Sequence, residues 1–189
     1  LRRTNMADSS PGRTYAGAKL KLMLIPMGGV VSMDKPKVAE LNANTAIDIS
    51  CAAIKSQTKI GSTDSETIDG MAAVCEDTNA KAWGQSNAEV ELAIFRYFQE
   101  GANGGKFDPV RDKIFQMLKN KGTEAYVVTR HTNKPYYEPF AEGDEISIYA
   151  CSFDQPHPVN EAADRTSGYI RTIHKCQVTG FREFISVVA

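Results

Sequence analysis

The sequence lacks a surplus of charge of either sign. Its 22 Lys and Arg stand against 23 Asp and Glu, a formal net charge of -1 over 189 residues. A chain built to grip phosphate backbones carries a basic excess, so tight nonspecific nucleic-acid binding is disfavoured. It also lacks a long apolar run. The best stretch, residues 22–33, is interrupted by Pro26 and by Gly28 and Gly29, and is too short to cross a bilayer. Arg2 and Arg3 have no apolar segment behind them, so no secretory leader is expected, and Met6 is a candidate natural start. Cysteine is sparse. Cys51, Cys75, Cys151 and Cys176 form no Cys-x-x-Cys pair, so zinc and thioredoxin-like readings lack their spacing. His131, His157 and His174 have no partner at metal-ligand spacing, and each is expected to be structural or solvated. No Gly-x-Ser-x-Gly elbow and no Gly-Lys-Ser/Thr phosphate loop is present. No catalytic, metal or cofactor site is expected.

Alternation is what the chain has in quantity. Hydrophobic content of 42% and charged content of 24% are those of a globular protein, and the length can bury a core without staples. Residues 1–14 are polar and predict a flexible N-terminal arm, with one β domain over residues 15–189. Ala18, Leu20, Leu22 and Leu24 share one face of a strand that ends near Pro26. Val30 and Val31 are a candidate short strand. Ile47, Ile49, Cys51 and Ala53 predict a strand over 46–54, and Val90, Leu92 and Ile94 another over 89–98. Strands are also predicted over 124–130, 145–153 and 169–178, with a polar loop over 154–168. Cys51, Cys151 and Cys176 fall in strand-like runs, where cysteine behaves as a small buried hydrophobe. Long loops are expected near 55–87, with short strands inside, and near 99–107, where Gly101, Gly104 and Gly105 cluster.

One helix is predicted, over 108–121. Asp108 suits the N-cap and Pro109 the first helical position. Val110, Ile114, Met117 and Leu118 make an apolar stripe, Lys119 and Lys121 suit the C-terminal end, and Gly122 supplies a left-handed cap. Seven or eight strands and one helix predict a mainly β fold, a sandwich or barrel with a flanking helix.

Carboxylate pairs are the nearest thing to chemistry. Glu89 and Glu91 share a strand face and would serve a small hydrolase only if burial split their pKa values; a solvated face is the plainer expectation. Aromatic residues with basic neighbours occur at Phe95-Arg96-Tyr97 and Lys134-Pro135-Tyr136-Tyr137, where packing and a Pro-Tyr turn are expected rather than a base-stacking platform.

Several segments in order resemble the major tail tube protein of long-tailed bacteriophages, of siphovirus type and with actinobacterial hosts. They are Asp48-Ile49-Ser50-Cys51, Phe95-Arg96-Tyr97-Phe98, Lys121 through Arg130, Ile146 to Tyr149, Gln155-Pro156-His157-Pro158, and Cys176-Gln177-Val178-Thr179-Gly180. The resemblance covers about 41–189, with a looser match before it. It implies a β-sandwich or barrel-like fold with a flanking helix and a structural role without catalysis. It further implies hexameric rings stacked into a hollow, DNA-conducting tube, located in the virion tail and in the host cytoplasm during assembly. Its partners would be further copies of itself, a tape-measure protein, a tail terminator and passing phage DNA held nonspecifically, with no membrane insertion. A balanced charge suits a wall past which DNA slides. Ring contacts in this family come from loops and arms, which makes Arg13, Tyr15, Trp83, Gly101, Gly104 and Phe107 the candidate assembly contacts. The other readings of this sequence are a tube protein of a contractile injection system and a monomeric β-barrel that binds a sugar or small ligand.

Overall fold

A computed structural model of the chain describes residues 14–68, 74–75, 82–158 and 168–189. The fold is mainly β. Its strands are β1 (Leu20–Pro26), β2 (Ile47–Asp48), β3 (Lys59–Thr63), β4 (Thr67–Ile68), β5 (Ala82–Trp83), β6 (Asn87–Phe95), β7 (Thr123–His131), β8 (Glu145–Phe153), β9 (His157–Pro158) and β10 (Arg171–Ser186). Two short helices, α1 (Val38–Leu41) and α2 (Lys113–Leu118), accompany them. One antiparallel sheet runs in the order β2-β1-β7-β8-β10-β6-β3, with β9 added to β10, and β4 and β5 form a separate small hairpin. The register is continuous across the middle, with Leu24 opposite Val127 and Val128 opposite Ile148.

Period-two alternation sorts the side chains of β1, β7 and β8 into two cores. Leu22, Leu24, Ala125, Val127, Tyr149, Cys151 and Phe153 point to one face, where they meet Leu92 and Ile94 of β6 and Ile114 and Leu118 of α2. Met23, Ile25, Val128, Ile146 and Ile148 point to the other, where Val30, Leu41, Phe140 and Val187 cover them. The strand over 18–26 was legible from its leucines, but Met23 and Ile25 are buried as well, because β1 is covered on both sides.

The segment predicted as one strand over 46–54 is broken. Only Ile47 and Asp48 pair with β1. The Asp48 carboxylate then accepts the Ser50 amide at 2.9 Å, a local side-chain bond that turns the chain out of the ladder. The turned segment links two distant strands. The Ile49 amide donates to the Leu22 carbonyl of β1, and the Ile54 amide donates to the Ala93 carbonyl of β6. This bridge curls the sheet into a barrel-like form, and it leaves Cys51 exposed in a turn rather than buried in a strand. Val30 and Val31 form no strand; Val30 is a core residue in a turn and Val31 is exposed.

The helix is shorter than predicted. Asp108 does cap the turn, accepting the Val110 and Arg111 amides at 2.9 and 3.0 Å. The helix proper begins only at Lys113, and Val110 is 75% exposed instead of joining the apolar stripe. The reason is Asp112. It is buried and accepts Arg96 through both oxygens, the Tyr97 amide and the Gln116 side chain. Tethered to β6 in this way, Asp112 fixes where the helix starts.

β10 extends well past the predicted end at 178. It pairs with β6 through Cys176 and then with β8 as far as Ser186, shifting register between Val178 and Gly180 and between Arg182 and Ile185. At the second shift Phe184 adopts φ 55°, a left-handed conformation costly for an aromatic residue.

Candidate assembly surfaces

The sheet has two unlike halves. Its β1–β7–β8 half is covered on both faces, and its β3–β6–β10 half on one. On the open half the outward face is charged and paired. Lys59 lies 3.6 Å from Glu89, and Lys175 lies 3.6 Å from Glu91. Glu91 is flanked across the ladder by Lys59 and Lys175. Each carboxylate therefore has a lysine partner on the outward face of the sheet, the solvated arrangement that the sequence predicts.

Several buried titratable groups among the described residues are held in structural networks. Arg130 is fully buried and donates to the carbonyls of Pro135, Glu138 and Pro139 and to Asp144 at 3.2 Å. Asp144 also accepts Lys134 at 2.6 Å and the Ala141 amide at 3.0 Å. Burial works to raise the Asp144 pKa, but these hydrogen bonds and the two cations together hold it below the usual carboxylate range. The Lys134-Pro135-Tyr136-Tyr137 run is thus a turn wrapped around a buried guanidinium. Arg96 sits 3.4 Å from the Phe115 ring centre and 5.0 Å from that of Phe98 while pairing with Asp112, so the Phe95-Arg96-Tyr97 run is packing too. His174 is buried beside Thr172 and Phe115; burial, with Arg96 and His157 adding to it, pushes its pKa down to about 4. His131 and His157 are exposed. A hydrogen bond with Cys176 and burial push the Cys151 thiol up, away from reactive thiolate character. Among the described residues no group of three His, Cys, Asp or Glu could hold a metal ion.

The candidate contact residues fall in three places. Tyr15 is exposed beside Ala16 and Ala18, which line a cavity of about 530 Å³ at the seam of the barrel. Trp83 is 78% exposed on the β4–β5 hairpin, an extension of the β3–β6 ladder. Gly101, Gly104 and Phe107 share one loop, and Arg13 lies outside the described residues. That loop is more ordered than its glycines predicted. Phe98 bridges to Phe107, the Gln99 amide donates to Lys106, and Gly101 at φ 64° opens a 3-10 turn that Gly104 closes. Exposed Phe184 and Tyr169 were not among the candidates. Phe184 carries no clear outward signal in the sequence, since Phe181 and Ile185 on either side of it pack against the two cores.

These features define a mainly β protein built on one antiparallel sheet, with a projecting hairpin and a cavity at its seam. The chain belongs to the phage tail tube protein family, whose model matches residues 6–188. That family is structural and not enzymatic, it assembles into a tube, and its place is the virion tail. Among solved structures the chain is similar to one in the cryo-EM structure of the anti-feeding prophage (AFP) baseplate, 6-fold symmetrised. The TM-score is 0.51 at 10% identity, over 90% of this chain and 95% of that one, which is a likeness of fold alone. A search of curated proteins finds no match.

Proposed function

We propose that this chain is the major tail tube subunit of a long, non-contractile, siphovirus-type tail of a phage with an actinobacterial host. Copies form hexameric rings, and the rings stack into a tube that conducts DNA. The family match over residues 6–188 carries this reading. Residues 1–14 act as an arm and 15–189 as the tube domain, with contacts from Arg13, Tyr15, Trp83, Gly101, Gly104 and Phe107. The charge-paired outward face of β3, β6 and β10 suits a channel wall: its lysines are already engaged by carboxylates, so DNA passes with little counterion-release binding. A tape-measure protein, a tail terminator and passing DNA complete the partners, with assembly in the host cytoplasm. One observation favours a second reading, a tube protein of a contractile injection system: the fold likeness to the prophage baseplate chain. Negative-stain microscopy of the concentrated pure protein tests both. Six-fold rings and hollow filaments are expected, and a monomer at every concentration and salt overturns both readings.

A further inference from the structure

Two surfaces of this chain are incomplete alone and complementary in kind. The first is the barrel-seam cavity. Its walls are Leu20 and Leu22 of β1, Ala53 of the bridging segment and Ile60 of β3, with Cys51 and Tyr136 beside them. Lys55 and His131 also line it. An apolar hollow of about 530 Å³ with a basic rim is large enough for an indole ring and the backbone around it.

The second is the hairpin arm. The β3–β6 ladder runs to Thr63 opposite Asn87, continues through the Gly84 amide donating to the Glu66 carbonyl, and resumes with Thr67 opposite Trp83. Among the described residues β4 and β5 pair only with each other. A two-stranded hairpin is marginal by itself in water, and this one carries exposed Trp83 and Ile68. Its shoulders, Asp64 and Glu66, are acidic where the cavity rim is basic.

We propose that the seam cavity is the receptor for the β4–β5 hairpin of a second copy, with Trp83 entering the hollow and Glu66 meeting Lys55. The inference rests on the tube reading and adds to it the receiving site. Groove and hairpin are different surfaces of one chain, so the contact is head-to-tail and propagates instead of closing on a pair. It also assigns Cys51 a position against the incoming hairpin.

The test uses the full chain assembled at high concentration. Thr67→Cys, at the cross-strand partner of Trp83 and on the same face of the hairpin, is placed in a Cys75→Ser background and treated with a short bis-maleimide. Covalent ladders between copies are expected, and they should vanish when Cys51→Ser is added. Trp83→Ala should lower the yield of filaments at least tenfold while leaving the melting temperature of the free subunit in place. Lys55→Glu should weaken assembly, and Glu66→Lys added to it should restore it, a rescue that checks the contact even if Trp83→Ala misfolds. Three results overturn the proposal: filaments without the Cys51-dependent ladder, wild-type filament yield from Trp83→Ala, or cross-linking of Cys51 to a Ser10→Cys arm instead. A wild-type chain that forms neither rings nor filaments defeats the tube reading itself, and this inference with it.

Discussion

The two halves of the sheet are built from the same kind of strand and are buried differently. In β1, β7 and β8 both faces are covered, so Met23, Ile25, Val128, Ile146 and Ile148 add a second core behind the first. In β3, β6 and β10 the outward face carries Lys59, Glu89, Glu91 and Lys175 against solvent, and the ladder runs on into a hairpin with no partner of its own among the described residues. The doubly covered half shares its first core with β6 and adds a second core of its own. A singly covered half with a projecting arm is available to other copies. Stability and assembly are therefore expected to be separable by mutation.

The largest effect is expected at Asp144. Asp144→Ala leaves Arg130 buried without its carboxylate, which costs roughly 3–5 kcal/mol of stability in urea unfolding. A value near zero would show that the covered half does not depend on this pair.

His174 lies where α2 meets β10, and it separates the halves by pH. Its folded pKa of about 4 lies below the usual 6.5 because burial keeps it neutral. Above pH 6.5 neither state is protonated and there is no penalty. As pH falls from 6.5 toward 4 the unfolded chain takes up a proton that the native chain refuses, and stability falls by about 3 kcal/mol over that window. In His174→Gln this loss should disappear, leaving only the carboxylate titrations at lower pH. Parallel unfolding curves for wild type and variant at pH 7 and pH 4.5 make the comparison.

Smaller changes sharpen the contrast. Ile148→Val, in the second core, should cost about 1 kcal/mol and leave assembly alone. Phe184→Gly should stabilise the subunit by about 1 kcal/mol, because glycine accepts φ 55° and the phenyl ring, 76% exposed, gives up little packing. A destabilised Phe184→Gly would mean that the ring is held by contacts within the subunit. Glu89→Gln, in an exposed pair, should change stability by less than about 0.5 kcal/mol.

Much of the covered half was legible in the sequence. β7 and β8 fall where alternation put them, because each carries an unbroken apolar face across a two-core sheet. The failures have local causes. The strand over 46–54 breaks because Asp48 captures the Ser50 amide, a competition that apolar periodicity does not register. The helix over 108–121 shrinks because Asp112, which reads as a solvent-facing charge, is a buried anchor for Arg96. Arg130 also reads as surface, although it stands in phase with Tyr126 and Val128, and that phase was the available signal. β10 was cut short because the alternation breaks before Gly180, where two bulges shift the register and carry the strand onward. Of the candidate contacts, Trp83 and Phe107 were readable as aromatic residues in polar loops. The seam cavity was not, since its walls come from β1, the bridging segment and β3, which only the folded topology brings together.

The central claim is that the covered half is complete in the free subunit and the open half is completed by neighbours. Hydrogen exchange compared between free and assembled protein tests it most directly. The account predicts slow exchange in β7 and β8 in both states, with new protection on assembly concentrated in residues 59–68, 82–95 and the seam around Ala53. Assembly that protects β7 and β8 instead, leaving the hairpin arm as fast as in the free subunit, would contradict it.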